Sequence, residues 1–197
     1  LRAMYVLDAK NREEVWLLDR IEEMELDETA FRSRDYVVAI DENSNEKAGF
    51  GRIRIHKPDD GENACELTSI GVLPEWRGQG VGAHVIERLV EYAADEGFDE
   101  VYSLTGAAEY LTQFGFEPIE TPRLPTPLQD RLETKRENIQ PEAVPLRVEK
   151  PVFTLPPRFR ERFKNASASD PDPEPEDTAE DFGIDPDEAT YKYDTER

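Results

Sequence analysis

Residues Val72 to Gly82 read V-L-P-E-W-R-G-Q-G-V-G, and their types and spacing suit the grip of a phosphorylated molecule. An apolar segment, Leu67 to Val72, stops before Pro74. Gly78, Gly80 and Gly82 then alternate with Gln79 and Val81, and a helical pattern runs from about Ala83 to Glu96. Without a Cβ, a glycine lets a ligand come close to the main chain. The helix that follows offers N–H groups with no intrahelical acceptor, at the positive end of its dipole. Bend and helix together make a phosphate cradle. A P-loop would need Gly-Lys-Ser/Thr at the end of the bend, whereas Gly82 is followed by Ala83 and His84. A dinucleotide fingerprint counted from Gly78 has Ala83 at its third glycine, a tolerated variant, with Asp99 and Glu100 about twenty positions on. Glycine spacing alone leaves that reading open.

The flanks narrow the choice. Arg77-Gly78-Gln79-Gly80-Val81-Gly82 resembles the coenzyme A motif Gln/Arg-x-x-Gly-x-Gly/Ala of the GNAT superfamily of N-acetyltransferases. Ile70-Gly71-Val72 and Pro74-Glu75-Trp76 precede it, and Gly115-Phe116-Glu117-Pro118 follows after a further strand and short helix. The resemblance runs from about Tyr5 to Ile119. It implies an α/β architecture, the GNAT fold, with a mixed central sheet, splayed central strands and flanking helices. It also implies acetyl-CoA as co-substrate and direct attack of an amine on the thioester. Pantetheine would then pair with the main chain of Ile70 and Val72. The N–H groups of Arg77, Gly78, Gln79, Gly80, Val81 and Gly82 would hold the diphosphate, and an N–H near Val72 would stabilise the oxyanion.

An ammonium is not a nucleophile, so its proton must be taken up. Strict strand alternation puts Glu66, Thr68, Ile70 and Val72 on one face, and Cys65, Leu67, Ser69 and Gly71 on the other. The resemblance turns the face of Glu66 towards the cleft and makes Glu66 the candidate base, acting through water. In the family a tyrosine four residues before the Gly-Phe pair protonates the leaving thiolate. Leu111 stands there in this chain, and Tyr110, one position earlier, is the candidate acid. Tyr110-Leu111, the preceding Leu104-Thr105, Ser69 and Leu124-Pro125 are similar to amino-acid acetyltransferases of the N-acetylglutamate synthase and arsenic-resistance type. On that likeness the acceptor carries a carboxylate, and Arg52, Arg54, Arg131, Lys135 and Arg136 are the available cations. Cys65, His56 and His84 read as structural, and no metal site is expected. Three functions stay open: an N-acetyltransferase for a small-molecule amine, a protein acetyltransferase, and an acyl-CoA-binding module without turnover.

The elements that must position these groups alternate along the chain. Periodicity predicts a helix over Asn11 to Met24, strands over Tyr36 to Ile40 and Ala48 to His56, and a loop over Asp59 to Asn63. Cys65 to Val72 is the central strand. After the glycine-led helix, Gly97 is a C-cap candidate. A strand over Glu100 to Leu104, a short helix over Ala107 to Phe114 and a last strand after Pro118 follow. Arg52 and Arg54 alternate with Ile53 and Ile55, so one face of that strand meets solvent or ligand.

Composition sets the remaining bounds. Net charge is −21, from 45 acidic and 24 basic residues, which opposes extended contact with nucleic acid or an anionic membrane. Acids spread through the whole chain, with arginine in excess of lysine, predict a halophilic protein in a high-salt cytoplasm, where screening removes much self-repulsion. The single cysteine permits no internal disulfide and suits a reducing compartment. A homodimer is compatible with the sequence. Three parts are expected: the domain at 4–119, an extension at 120–164 that docks on it, and an acidic disordered tail at 165–197. The extension carries a helix near Leu128 to Glu137 and the basic run Arg158 to Lys164. Met4 reads as the natural start, with Leu1 to Ala3 a remnant.

Overall fold

The computed structural model describes residues 4–168; the expected remnant Leu1 to Ala3 and all but the first four residues of the acidic tail lie outside them. Seven strands form one mixed sheet in the order β1-β2-β3-β4-β5-β7-β6. They are β1 (Met4–Asp8), β2 (Tyr36–Asp41), β3 (Lys47–His56), β4 (Ala64–Val72), β5 (Glu100–Thr105), β6 (Glu117–Pro118) and β7 (Val144–Glu149). β1 to β4 pair antiparallel. β4 and β5 are parallel and share a single register pair, Glu66↔Tyr102. Beyond that rung, towards Val72, the two strands carry no further ladder, and the Ser103 hydroxyl reaches the Leu67 carbonyl at 3.4 Å where they part.

The helices are α1 (Glu14–Glu23), α2 (Val81–Asp95), α3 (Ala108–Thr112), α4 (Thr126–Asn138) and α5 (Pro157–Lys164). Val85, Ile86, Leu89, Val90 and Ala93 form the apolar stripe of α2 and are all at most 1 % exposed. That stripe packs with Ile53, Cys65, Leu67, Ile70 and Val72 on one face of the sheet. α2 ends as predicted: Gly97 takes φ +93° and the Phe98 N–H returns to the Ala93 carbonyl. On the opposite face, Leu17 and Ile21 of α1 pack with Tyr36, Val38 and Phe50, while Leu128 and Leu132 of α4 pack with Tyr102 and Leu104.

Strict alternation along β4 does not hold. Ser69 sits in the left-handed region at φ +54°, and the register with β3 steps from Phe50↔Gly71 to Arg52↔Thr68. One extra residue on β4 is thereby absorbed as a bulge. Cys65, Leu67, Ile70 and Val72 consequently join the core against α2. Glu66 faces His56 and α4, and the Ser69 hydroxyl donates to the Asp27 carbonyl, 2.8 Å away. The same bulge aims Glu66 to one side and the apolar wall of the gap to the other.

The boundary expected at Ile119 does not divide the sheet. β7 comes from beyond it and inserts between β5 and β6, pairing with β5 from Glu100↔Glu149 to Thr105↔Val144. The last strand expected after Pro118 shrinks to the two residues of β6.

Candidate active site

The glycine bend has the backbone the sequence calls for. Gly78 and Gly80 take φ of +75° and +79°, and Gly80 is the N-cap of α2. A side chain at Gly78 would meet open space, but one at Gly80 would lie 2.5 Å from the carbonyl oxygen of Phe159. Arg77 braces the bend, its Nε donating to the Val72 carbonyl at 3.1 Å. His84 Nδ1 lies 2.9 Å from the Gly80 carbonyl, within donating distance. Bend geometry and the first turn of α2 fit a diphosphate. In this conformation, however, the bend is covered by α5.

On the other face, β3 and β4 set Arg54 directly opposite Glu66 in register, with His56 next on the same side. Glu66 is fully buried. Its Oε1 accepts from His56 Nε2 at 2.9 Å and from Arg131 Nε at 2.5 Å; its Oε2 has no hydrogen-bond partner among the described residues and lies 3.8 Å from Lys135 Nζ. Burial alone would raise the Glu66 pKa, but the Arg131 charge, the His56 hydrogen bond and Lys135 outweigh it and hold the carboxyl at about 2. Glu66 therefore stays ionised at neutral pH and is a weak final acceptor for a proton.

Arg131 also reaches Asp27, at 2.5 Å. Burial works against that carboxylate too, but Arg131 and hydrogen bonds from Thr29 hold it well below the usual range. Arg52, 1 % exposed, donates to the Thr29 and Ala30 carbonyls at 2.8 and 2.7 Å. The loop between α1 and β2 is thus pinned from both sides. Arg52 is committed to structure.

Arg54 differs from its neighbours. It is half-buried and pairs with Glu66 through the main chain, but its guanidinium makes no hydrogen bond or close ion pair with another described residue, feeling Glu66 and Asp27 only through space. Burial and the nearby Arg131 charge lower its pKa, so the guanidinium sits in a place that disfavours it. It lines a cavity of about 680 Å³ with Arg32, Arg34 and Lys57 and with the carboxylates Asp35 and Glu96, where β3 continues past the end of β2.

The other candidates land in distinct places. Tyr110 is half-buried, its ring edge-on to Phe114 at 5.2 Å between centroids, while Leu111 is fully buried in the core. Cys65 is buried, and burial pushes its thiol pKa up, as suits a core residue. Lys135 donates to the Leu104 carbonyl at 2.9 Å, and Arg136 to that of Ala143 at 2.8 Å. Sequence reasoning treated His56 as structural and did not join Glu66 to Arg131. The alternation of Arg52, Arg54 and His56 on one strand face was the available signal.

Comparison with known proteins bears on the family and the fold. Residues 1–116 match the family described as Acetyltransferase (GNAT) family, which is more than half of the chain. The chain belongs to that family. An uncharacterized N-acetyltransferase of Chlorobaculum tepidum is 32% identical over 61 residues, covering 31% of this chain and 39% of that protein. N-acetylglutamate synthase from Neisseria gonorrhoeae, complexed with coenzyme A and N-acetyl-glutamate, superposes with a TM-score of 0.60 at 13% identity. That alignment covers 75% of this chain and 35% of the synthase. A Mycobacterium tuberculosis protein in complex with CoA gives a TM-score of 0.58 at 16% identity, over 74% of this chain and 98% of that one. The chain thus spans well under half the length of the Chlorobaculum relative and of the synthase. At these identities the solved structures speak for the fold alone. Among the described residues no helix is long and apolar enough to cross a membrane.

Proposed function

We propose that this protein is an acetyl-CoA-dependent N-acetyltransferase whose acceptor is a small amine bearing a carboxylate. The observation that carries the acceptor class is Arg54, a half-buried guanidinium that makes no side-chain hydrogen bond or close ion pair among the described residues, in a cavity where arginine and lysine outnumber the two carboxylates, Asp35 and Glu96. A carboxylate is the group that a planar guanidinium pairs with best. A lysine-rich peptide would meet Arg32, Arg34, Arg54 and Lys57 as like charges, against the two carboxylates Asp35 and Glu96 of the same cavity and the protein's overall negative charge.

Acetyl-CoA supplies an activated acetyl thioester. The N–H groups of Arg77 to Gly82 would hold its diphosphate, and the main chain of Ile70 and Val72, at the edge of the gap, would pair with pantetheine. On the other side of the sheet, Glu66 keeps one buried oxygen without a hydrogen bond among the described residues. A carboxylate held at about 2 would orient a water that relays the ammonium proton to solvent, while the hydrogen bond from His56 holds the carboxylate in place. The amine then attacks the carbonyl carbon as the carbon–sulfur bond breaks. Tyr110 is the group proposed to return a proton to the departing thiolate.

Release of coenzyme A over a panel of amino acids, N-blocked amino acids, polyamines and lysine peptides tests the reading. Turnover is expected with free amino acids and to fall when their carboxylate is amidated. Preference for polyamines or lysine peptides overturns the acceptor class.

A further inference from the structure

The coenzyme cleft is spanned by the protein's own C-terminal segment. From the end of β7 the chain runs beside α3, where the Thr154 N–H donates to the Phe114 carbonyl at 2.9 Å. It then crosses the gap between β5 and β4. Phe159, 1 % exposed, lays its ring 5.3 Å from that of Phe114 and sets its carbonyl against Gly80. One turn on, Phe163 stacks on His84 with centroids 3.9 Å apart, and Arg160 pairs with Glu87 at 2.6 Å. Past the helix, Gln79 of the bend and Ser167 exchange two hydrogen bonds: Gln79 Nε2 to the Ser167 carbonyl and the Ser167 N–H to Gln79 Oε1, each 2.7 Å. Leu155, Phe159, Phe163 and Ala166 belong to the same apolar cluster as Ile70, Val72 and Val81.

We infer that α5 is a displaceable strap that competes with acetyl-CoA for the cleft. The inference rests on the coenzyme site proposed above. Diphosphate cannot reach the bend while the Phe159 carbonyl and Ser167 lie on it, and pantetheine cannot enter the gap while Leu155 and Phe159 fill its wall. Binding therefore requires α5 to leave, and the apparent affinity is lowered by the fraction of molecules in which it is docked. The contacts suit a reversible latch: two aromatic anchors, one half-exposed ion pair, a hydrogen bond from Arg158 to Gln113 and one amide clasp hold an eight-residue helix.

Hydrogen exchange of the full chain with and without acetyl-CoA, joined to calorimetric binding, tests the strap. Residues 157–167 should lose protection when acetyl-CoA is added. In the double variant Phe159→Ser/Phe163→Ser they should be unprotected from the start, with acetyl-CoA binding about tenfold tighter or more. Arg160→Glu sets like charge against Glu87 at the surface without touching the core, and should tighten binding by roughly twofold to fivefold. Wild-type binding with α5 still protected overturns the strap. So does an unchanged affinity in variants whose α5 has come loose, and either result leaves the coenzyme site standing. No binding by any form overturns the coenzyme site itself, and the strap with it. If the double variant does not fold, the wild-type exchange and Arg160→Glu decide.

Discussion

Glu66→Gln tests the charge network more directly than any other single change. The substitution keeps the size of the side chain but removes a buried negative charge that faces Arg131 at 2.5 Å, His56 at 2.9 Å and Lys135 at 3.8 Å. A carboxyl with a folded pKa of about 2 against 4.5 unfolded stabilises the fold above pH 4.5, and that contribution is lost as pH falls towards 2. At ~1.36 kcal/mol per pH unit the difference is about 3 kcal/mol. Removing one partner of a buried ion pair gives an independent figure of about 3–5 kcal/mol. For a domain of this size, with ~2–4 °C in Tm per kcal/mol, the variant should melt about 6–12 °C below the wild type at pH 7. Thermal unfolding followed by circular dichroism at pH 7 and again at pH 3.5 provides the measurement. The difference should shrink at the lower pH. Equal melting temperatures at pH 7, or a difference that ignores pH, would refute the electrostatic account of this site.

Arg54→Ala should raise the KM for a carboxylate-bearing acceptor by about tenfold to a hundredfold, the worth of one charge-assisted hydrogen bond, and leave acetyl-CoA affinity unchanged; an unchanged KM removes Arg54 as the anchor. Tyr110→Phe should lower kcat by roughly tenfold or less with little change in KM, because a thiolate is a tolerable leaving group; full activity would leave Tyr110 a packing residue. The His84 pKa is lowered by burial, with Arg160 adding to the effect and the Gly80 carbonyl and Glu87 opposing it. The neutral ring thus favours the docked α5, and protection factors at residues 157–167 should fall as pH drops below 6.5; protection factors that do not change with pH would contradict this. Cys65 should resist thiol reagents in the native state and react on unfolding, and rapid native labelling would show that the core opens there.

The parts of the molecule that local pattern dictates were legible in the sequence. The glycine spacing, the stripe of α2 and Gly97 at its end all took the expected places, because each is set by neighbours within one or two turns. Features set by distant partners were not. β7 hides behind Pro145, which reads as a strand breaker. In the sheet Pro145 contributes the one ladder group a proline keeps, its carbonyl, to the Ile119 N–H at 3.0 Å. Nothing in Thr68-Ser69-Ile70 announces a bulge, so alternation misassigned Ile70 and Val72. Arg131 meets Glu66 across 65 positions, a pairing lost among 45 acids and 24 bases. The basic run at Arg158 to Lys164 was expected to dock, but only the fold places its landing site on the glycine bend.

A sheet whose halves meet at one rung behaves as two leaves rather than as a plate. Glu66 is on that rung, opposite Tyr102, and Arg131 and Lys135 reach it from α4, a helix that belongs to the second leaf. The buried charges therefore act as the pin of a pair of scissors, and the blades extend towards Val72. Six residues of β4 beyond the pin make that blade about 20 Å long, so a turn of about 5° at the pin moves its tip by roughly 2 Å. Small adjustments around Glu66 can thus set the width of the opening at the far end of β4.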